Sequence, residues 1–592
     1  MHFDGQDDGQ DPKERINYKA TFRLLYSLLS ERKGPFLVAF LYMSAGTLLN
    51  LLIPVIAKYV IDRALPAKDQ ASLLLAAGAY LLATILVLFF NYLQVAQLAR
   101  AGQDLIVDLK QRMLRHMLSL DLEFYSATPV GRLTARVQSD TSTLYVLFTN
   151  TVITIFNDAL MFSAAACVMA YSDLKLTLIL LPLFPLLAFM GWLFARITSP
   201  MYVKVRKIAS EIPGFLTEQL NGISVLQAFG RETAVSGKME DLNRRKFTAE
   251  MRVELYGVVF FLSIVLLNPA ATATVFGIGG RLVMGGGVTV GVIVMFVLYL
   301  GYLFEPIFRL SDHLSVIQSS FSAGHRIARI LELRPTLTEP RKPRYLSSMR
   351  DSIEFRNVWM RYNEEAGWVL RNVSFTLARG RSLAILGETG GGKTTVTSLL
   401  FRFYDFQKGH ILVDGTDIRG LSLASLRSAI GLVQQDIYLF PGTVMENLKL
   451  MDAAIPDARV HDAIRLMGLE AFFRKHPLDK KVQEKGANLS IGEKQVISLA
   501  RAMVLDQEVL VLDEATSNMD PHTERLITAA IGNLLKHKTV IIIAHRLSTV
   551  RNADRVMMIS GGEVKELGTH DELLAKDGLY SRYYRLQFGE GE

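Results

Sequence analysis

The sequence predicts a membrane α-helical domain of six transmembrane helices with long cytoplasmic hairpins, followed by an α/β domain built round a phosphate loop (P-loop). Three observations predict it. Apolar stretches of membrane-spanning length recur between residues 36 and 308. A glycine-rich loop, Gly387-Glu388-Thr389-Gly390-Gly391-Gly392-Lys393-Thr394, lies between an apolar run and a helical one. Beyond it, the run Val509-Leu510-Val511-Leu512 ends in two acids, Asp513 and Glu514. With 592 residues, half of them hydrophobic, and a mean hydropathy of +0.25, the chain carries more apolar surface than a soluble enzyme needs, and its length asks for several domains.

The six spans are expected over 36–61, 72–97, 144–171, 174–195, 255–280 and 288–308, each near the ~20 residues that cross the hydrocarbon core. An even number puts both termini on one side. Basic residues choose that side: Lys13, Arg15, Lys19, Arg23, Arg32 and Lys33 precede the first span, Arg100, Lys110, Arg112, Arg115, Arg132 and Arg136 lie between the second and third, and the stretch from Arg196 to Arg252 is rich in both. The opposite loops hold only Arg63, Lys68, Lys175 and Arg281, so the positive-inside rule makes the termini cytoplasmic. Topology of this kind accounts for the net charge of +8 without nucleic acid, since the basic residues are spread through loops and form no patch. The polar start, Met1 to Arg15, lacks the apolar core of a signal peptide. A single cysteine, Cys167, rules out a disulfide framework within one chain.

The two inner connections are long and read as helix continuing beyond the bilayer, for instance Asp104 to Leu120 and Lys204 to Leu220. Their tips, near Phe124–Gly131 and Asn221–Val225, are broken by Pro or Gly, and a short helix is expected at each. Phe22, Leu25 and Leu29 share a helical face beside Arg23 and Arg32, the pattern of an interfacial helix or of a soluble flanking one. Inside the membrane, Asn157-Asp158 falls in the middle of the third span, and Glu305 falls among Tyr299, Tyr302, Phe304 and Pro306 in the sixth. A carboxylate at that depth either pairs with a neighbouring helix or lines an aromatic, weakly acidic cavity suited to amphipathic or cationic molecules.

In the C-terminal part, Ser382 to Leu386 reads as a strand and Thr395 to Phe403 as a helix, the context a phosphate loop requires. The backbone of Gly387, Thr389, Gly390, Gly391, Gly392 and Thr395 would cradle the phosphates of a nucleoside triphosphate, Lys393 would reach the β and γ oxygens, and Thr394 would offer its hydroxyl to Mg²⁺. Asp513 would hold the metal through water. Glu514 is the expected catalytic base or water-orienting group, because phosphoryl transfer asks mainly for positioning and charge neutralisation.

These parts, with Gln435, the run Leu489-Ser490-Ile491-Gly492-Glu493 ahead of the acidic strand, and His545 after Ile541-Ile542-Ile543-Ala544, resemble the type IV (type I exporter) ABC transporters over nearly the whole chain. The resemblance implies a transmembrane domain over 1–335, a linker over 336–350 and an ABC ATPase domain over 351–592. It implies roles as well: Tyr362 stacks on adenine, with Trp368 as its competitor; Gln435 senses Mg²⁺; His545 meets the γ-phosphate; Ser490 and Gly492 of the signature and Asp520 of the D-loop meet a nucleotide shared with a partner; and Gln483–Gly486 touches the hairpins. Members fused in this way favour export. The usual signature is Leu-Ser-Gly-Gly-Gln, so Ile491 adds bulk and restricts the backbone where glycine is expected, while Gly391 stands where serine is common and Gln434 where proline is. Lys393, Asp513, Glu514 and His545 are all retained.

That combination favours a heterodimer with a second ABC half-transporter over a homodimer. The expected protein is a multi-pass exporter half of the bacterial inner membrane, in contact with membrane lipid and moving small hydrophobic or amphipathic, drug- or lipid-like molecules. A homodimeric lipid flippase and an ATP-gated regulatory membrane protein are the alternatives; Glu514 speaks against the second.

Overall fold

A computed structural model describes residues 18–364, 367–513, 520–544 and 550–588, and these form two compact units: residues up to Leu120 with Ala127–Arg334, and Asp121–Ser126 with the chain from Pro335 onward.

The first unit is helical. Among the described residues, five helical segments are long and apolar enough to cross a membrane: Lys33–Ala64, Gln70–Leu118, Val130–Ser172, Leu174–Asn221 and Glu232–Met284. The sixth expected span is the start of the continuous helix Val290–Glu332, apolar as far as Pro306. Leu74, Leu75 and Leu88 are 73%, 74% and 64% exposed on the second of these helices. Such side chains belong against lipid, where helices satisfy their own backbone polar groups. The fourth span is jointed at Leu181-Pro182, between helices Leu174–Leu180 and Leu183–Asn221. Helices Gln70–Leu118 and Glu232–Met284 run 49 and 53 residues. At ~1.5 Å per residue each exceeds 70 Å, more than twice the ~30 Å hydrocarbon thickness, so both continue far beyond it. Short helices, Leu122–Ala127 and Ile223–Ala228, mark the two hairpin tips.

The helix Tyr18–Glu31 departs from the expected face. Thr21, Leu25 and Leu28 are buried, while Phe22 is 62% exposed. The cause is a close helix crossing: a Cβ at Gly324 would stand 2.9 Å from the Thr21 methyl carbon and 3.7 Å from Leu25. Packing on Val290–Glu332 therefore recruits the stripe one position round from Phe22 and Tyr26.

In the second unit, strands β1 (Ser352–Met360), β2 (Leu370–Ala378), β4 (Lys408–Val413) and β5 (Thr416–Asp417) form an antiparallel sheet in the order β2-β1-β4-β5. Strands β3 (Ser382–Leu386), β6 (Ile430–Val433), β9 (Val509–Asp513), β10 (Thr539–Ile543), β11 (Arg555–Ser560) and β12 (Glu563–Gly568) form a second sheet, ordered β12-β11-β3-β10-β9-β6. All but β12 pair in parallel there. A short pair, β7 (Gly442–Thr443) and β8 (Lys481–Val482), lies apart. Parallel strands covered on both faces read as continuous apolar runs. In β3, Ala384 and Leu386 face one core while Leu383 and Ile385 face the other.

Candidate nucleotide site

The phosphate loop leaves β3 from a buried strand end. Gly387 has φ +151°, and a Cβ there would lie 2.0 Å from the Ile559 carbonyl oxygen, so no side chain fits. Gly392, at φ +102°, is hemmed in by Leu370 at 2.7 Å. Gly391 has no positive φ, but a serine Cβ there would press on the Glu388 carbonyl oxygen at 3.0 Å, which suits glycine. The helix Lys393–Leu400 follows directly. Lys393 is 8% exposed and folds over the loop, donating to the carbonyl oxygens of Gly387 at 2.7 Å and Glu388 at 2.8 Å. Burial pushes its pKa down, against the opposing pull of Asp513 and Glu388. Thr389, Gly390 and Thr394 are exposed. The buried Thr395 pairs its hydroxyl with that of Tyr362 at 3.0 Å.

Tyr362 is 43% exposed and meets Tyr404 edge-on at 4.9 Å. Trp368 is engaged elsewhere: Trp359 packs edge-on to it at 5.4 Å, and Arg361 and Lys408 lie over its ring at 5.0 and 5.5 Å. Of the two aromatic rings, only Tyr362 is joined to the loop helix.

Register gathers the remaining groups. Ile385 of β3 pairs with Ile543 of β10, Ile543 with Asp513 of β9, and Leu512 with Val433 of β6. The C-terminal ends of four parallel strands thus open on one edge, where open α/β sheets bind ligands. Asp513 ends β9 there, and the exposed Gln435 follows β6 by two residues. Glu514 and His545 come next in the sequence after Asp513 and Ala544 and lie outside the described residues.

Ser490 caps the helix Ile491–Val504 in a capping box with Glu493. Gly492 is buried and Ile491 is 57% exposed at the first turn. Asp520 caps the helix Pro521–His537, accepting from the backbone N–H groups of His522 and Thr523 at 3.1 and 3.0 Å. Hydrogen bonding by Thr523 holds its carboxyl below the usual range.

Residues 36–307 match the family model described as ABC transporter transmembrane region, and residues 370–517 match the one described as ABC transporter. The ABC transporter ATP-binding protein YknV of Bacillus subtilis is 33% identical over 578 residues, covering 97% of this chain and 95% of the relative. The chain belongs to the ABC transporter family. An ATP-dependent lipid A-core flippase of Desulfotalea psychrophila is 31% identical over 576 residues, covering 96% of this chain and all of that one. A solved structure of a bacterial Atm1-family ABC exporter with ATP bound matches with a TM-score of 0.80 and 27% identity, over 95% of this chain and 100% of that one. As an ABC transporter, the chain binds ATP and couples its hydrolysis to transport, with the ATPase on the cytoplasmic side.

Two residues of this ABC transporter's signature region carry no sequence signal. Arg501, on the signature helix, donates to the carbonyl oxygens of Asn447 at 2.8 Å and Tyr438 at 3.3 Å, tying that helix to the chain after Gln435. Burial pushes its pKa down to about 10. His476 lies against Glu493 at 3.1 Å. Neither spacing nor composition could reveal these contacts, because each joins segments far apart in the chain.

In the transmembrane unit Asp158 is paired. Its side chain is 10% exposed, accepts from an Arg309 Nη at 2.6 Å and lies 3.7 Å from His313 Nε2. Arg309 also reaches Glu305 at 3.1 Å. Two of the neighbouring aromatics pack in the interior of this unit. Tyr299 is fully buried, donating to the Leu51 carbonyl oxygen at 2.7 Å, and Phe304 is 2% exposed in the same helical core.

Proposed function

We propose that this chain is an exporter half-transporter of the bacterial inner membrane, moving hydrophobic or amphipathic, drug- or lipid-like molecules outward at the expense of ATP. The convergence of the phosphate loop, Asp513 and Gln435 on one sheet edge carries the reading. Lys393 and the loop backbone hold the β and γ phosphates, and Tyr362 supplies the adenine platform. The exposed Thr394 hydroxyl and Asp513 suit Mg²⁺, which would neutralise phosphate charge. Glu514 orients the attacking water, and Gln435 and His545 serve the metal and the γ-phosphate. Ser490, Gly492 and Asp520 face the nucleotide held by a second half. We favour a non-identical half because Ile491 alters the surface offered to that nucleotide while the chain's own hydrolytic residues are retained.

Glu514→Gln in the purified transporter tests the core of this reading. It should leave ATP affinity intact and slow turnover about 10²-fold, since phosphate and metal contacts remain while water activation is lost. Turnover above about half of wild type would remove Glu514 from that role.

A further inference from the structure

The signature's fifth position is glutamate here, and the structure shows what meets it. Glu493 occupies the third position of the signature helix. One of its oxygens, Oε2, accepts from the Ser490 N–H at 2.9 Å, and its own N–H donates to the Ser490 hydroxyl oxygen at 3.2 Å. The other oxygen, Oε1, faces His476 Nε2 at 3.1 Å. His476 is 5% exposed, stacked on Phe472 at 4.6 Å, and its Nδ1 lies 3.1 Å from the Lys480 ammonium.

The donors fix the tautomer. An ammonium only donates, so Nδ1 accepts and the neutral ring carries its proton on Nε2, aimed at Glu493. Burial, helped by the charges of Lys480 and Lys475, pushes the imidazole pKa down against the pull of the Glu493 carboxylate. A carboxylate has two acceptor oxygens and no donor, so a capping glutamate in this partly buried place needs a donor besides the Ser490 N–H. His476 supplies it.

We propose that His476, braced by Lys480, is a positioning residue of the signature: it holds Glu493, which in turn sets the orientation of the Ser490 hydroxyl toward the nucleotide that the signature serves. With its oxygen already accepting from the Glu493 N–H, the Ser490 hydroxyl is left with a proton to donate to phosphate. The pairing also accounts for glutamate in place of glutamine, since donors face both of its oxygens and an amide would set its NH2 group against one of them. This inference rests on the reading that Ser490 meets a nucleotide.

The test compares His476→Leu, His476→Gln, Glu493→Gln and Ser490→Ala in the full-length transporter as isolated from membranes, reading ATPase kcat and KM and the Kd of a fluorescent ATP analogue. His476→Leu should lower kcat about tenfold while leaving the analogue's Kd within about twofold, because the chain's own phosphate loop is untouched. His476→Gln, which keeps a donor, should retain most of the activity. Adding Glu493→Gln to His476→Leu should bring kcat back to within about twofold of Glu493→Gln alone, the non-additivity expected of groups in contact. Full activity of His476→Leu, or an equal loss with and without Glu493→Gln, would overturn the positioning role. If Ser490→Ala is silent, the reading beneath it fails too, whereas a damaging Ser490→Ala beside a silent His476→Leu sinks this inference alone.

Discussion

Replacing Asp158 with asparagine keeps the shape of the side chain and removes its charge. The carboxylate is 10% exposed and touches Arg309 at 2.6 Å, with His313 at 3.7 Å. At an effective dielectric of ~20, two unit charges some 4 Å apart attract by about 4 kcal/mol. That value overstates the loss, because the Arg309 side chain is 38% exposed and keeps Glu305 at 3.1 Å. Stability is therefore expected to fall by about 1–2 kcal/mol, between the exposed and the buried limits for an ion pair. The assay is thermal unfolding in detergent, run beside ATPase stimulation by a lipophilic cation and by a neutral lipid-like compound. The melting temperature should drop by a few degrees, and both stimulations should change alike, since the defect lies in helix packing. An unchanged melting temperature with stimulation lost only for the cation would refute this reasoning and make Asp158 the counter-ion of the substrate.

Three further outcomes bear on the nucleotide site and its partner. Tyr362→Ala should weaken ATP binding about tenfold in a fluorescence titration while Trp368→Ala leaves affinity unchanged, as an aromatic contact contributes about 1 kcal/mol beyond its buried area; the reverse ranking would move the adenine platform. Gly387→Ala should abolish measurable ATP binding, since its Cβ would stand 2.0 Å from the Ile559 carbonyl oxygen; normal affinity would show that the loop tolerates a different path. The chain purified alone should show little ATPase until a second half is added, and strong substrate-stimulated activity of the chain by itself would settle the matter for a homodimer.

Much of this was legible because it depends on local pattern. Hydropathy located the spans, and the runs Leu383–Leu386, Val509–Leu512 and Ile541–Ile543 are apolar throughout because both faces of that sheet are covered. The sequence was silent where a partner far along the chain decides. Arg309 stands 151 residues from Asp158, so a carboxylate at membrane depth left pairing and cavity equally open. Tyr299 and Phe304 suggested a cavity wall by composition, but packing turned them into the helical core. The stripe on Tyr18–Glu31 shifted because Gly324 admits Thr21 so closely, a constraint that neither segment displays alone.

The two departures from the family pattern differ in what constrains them. Gly391 sits under the Glu388 carbonyl oxygen, so the glycine there answers to the loop's own crowding and says nothing about a partner. Ile491 answers to no such pressure: it is 57% exposed at the start of its helix, and a large apolar side chain in that position gains little from its own chain. A residue that its own fold leaves free takes its meaning from whatever approaches it. Glu493, two residues on, points the other way, since His476 and Ser490 engage both of its oxygens within the domain. The signature therefore keeps an internally braced serine while presenting an altered surface beside it. An altered outward face beside an intact phosphate loop supports the proposal that this chain hydrolyses its own ATP and meets an unlike nucleotide site across the interface.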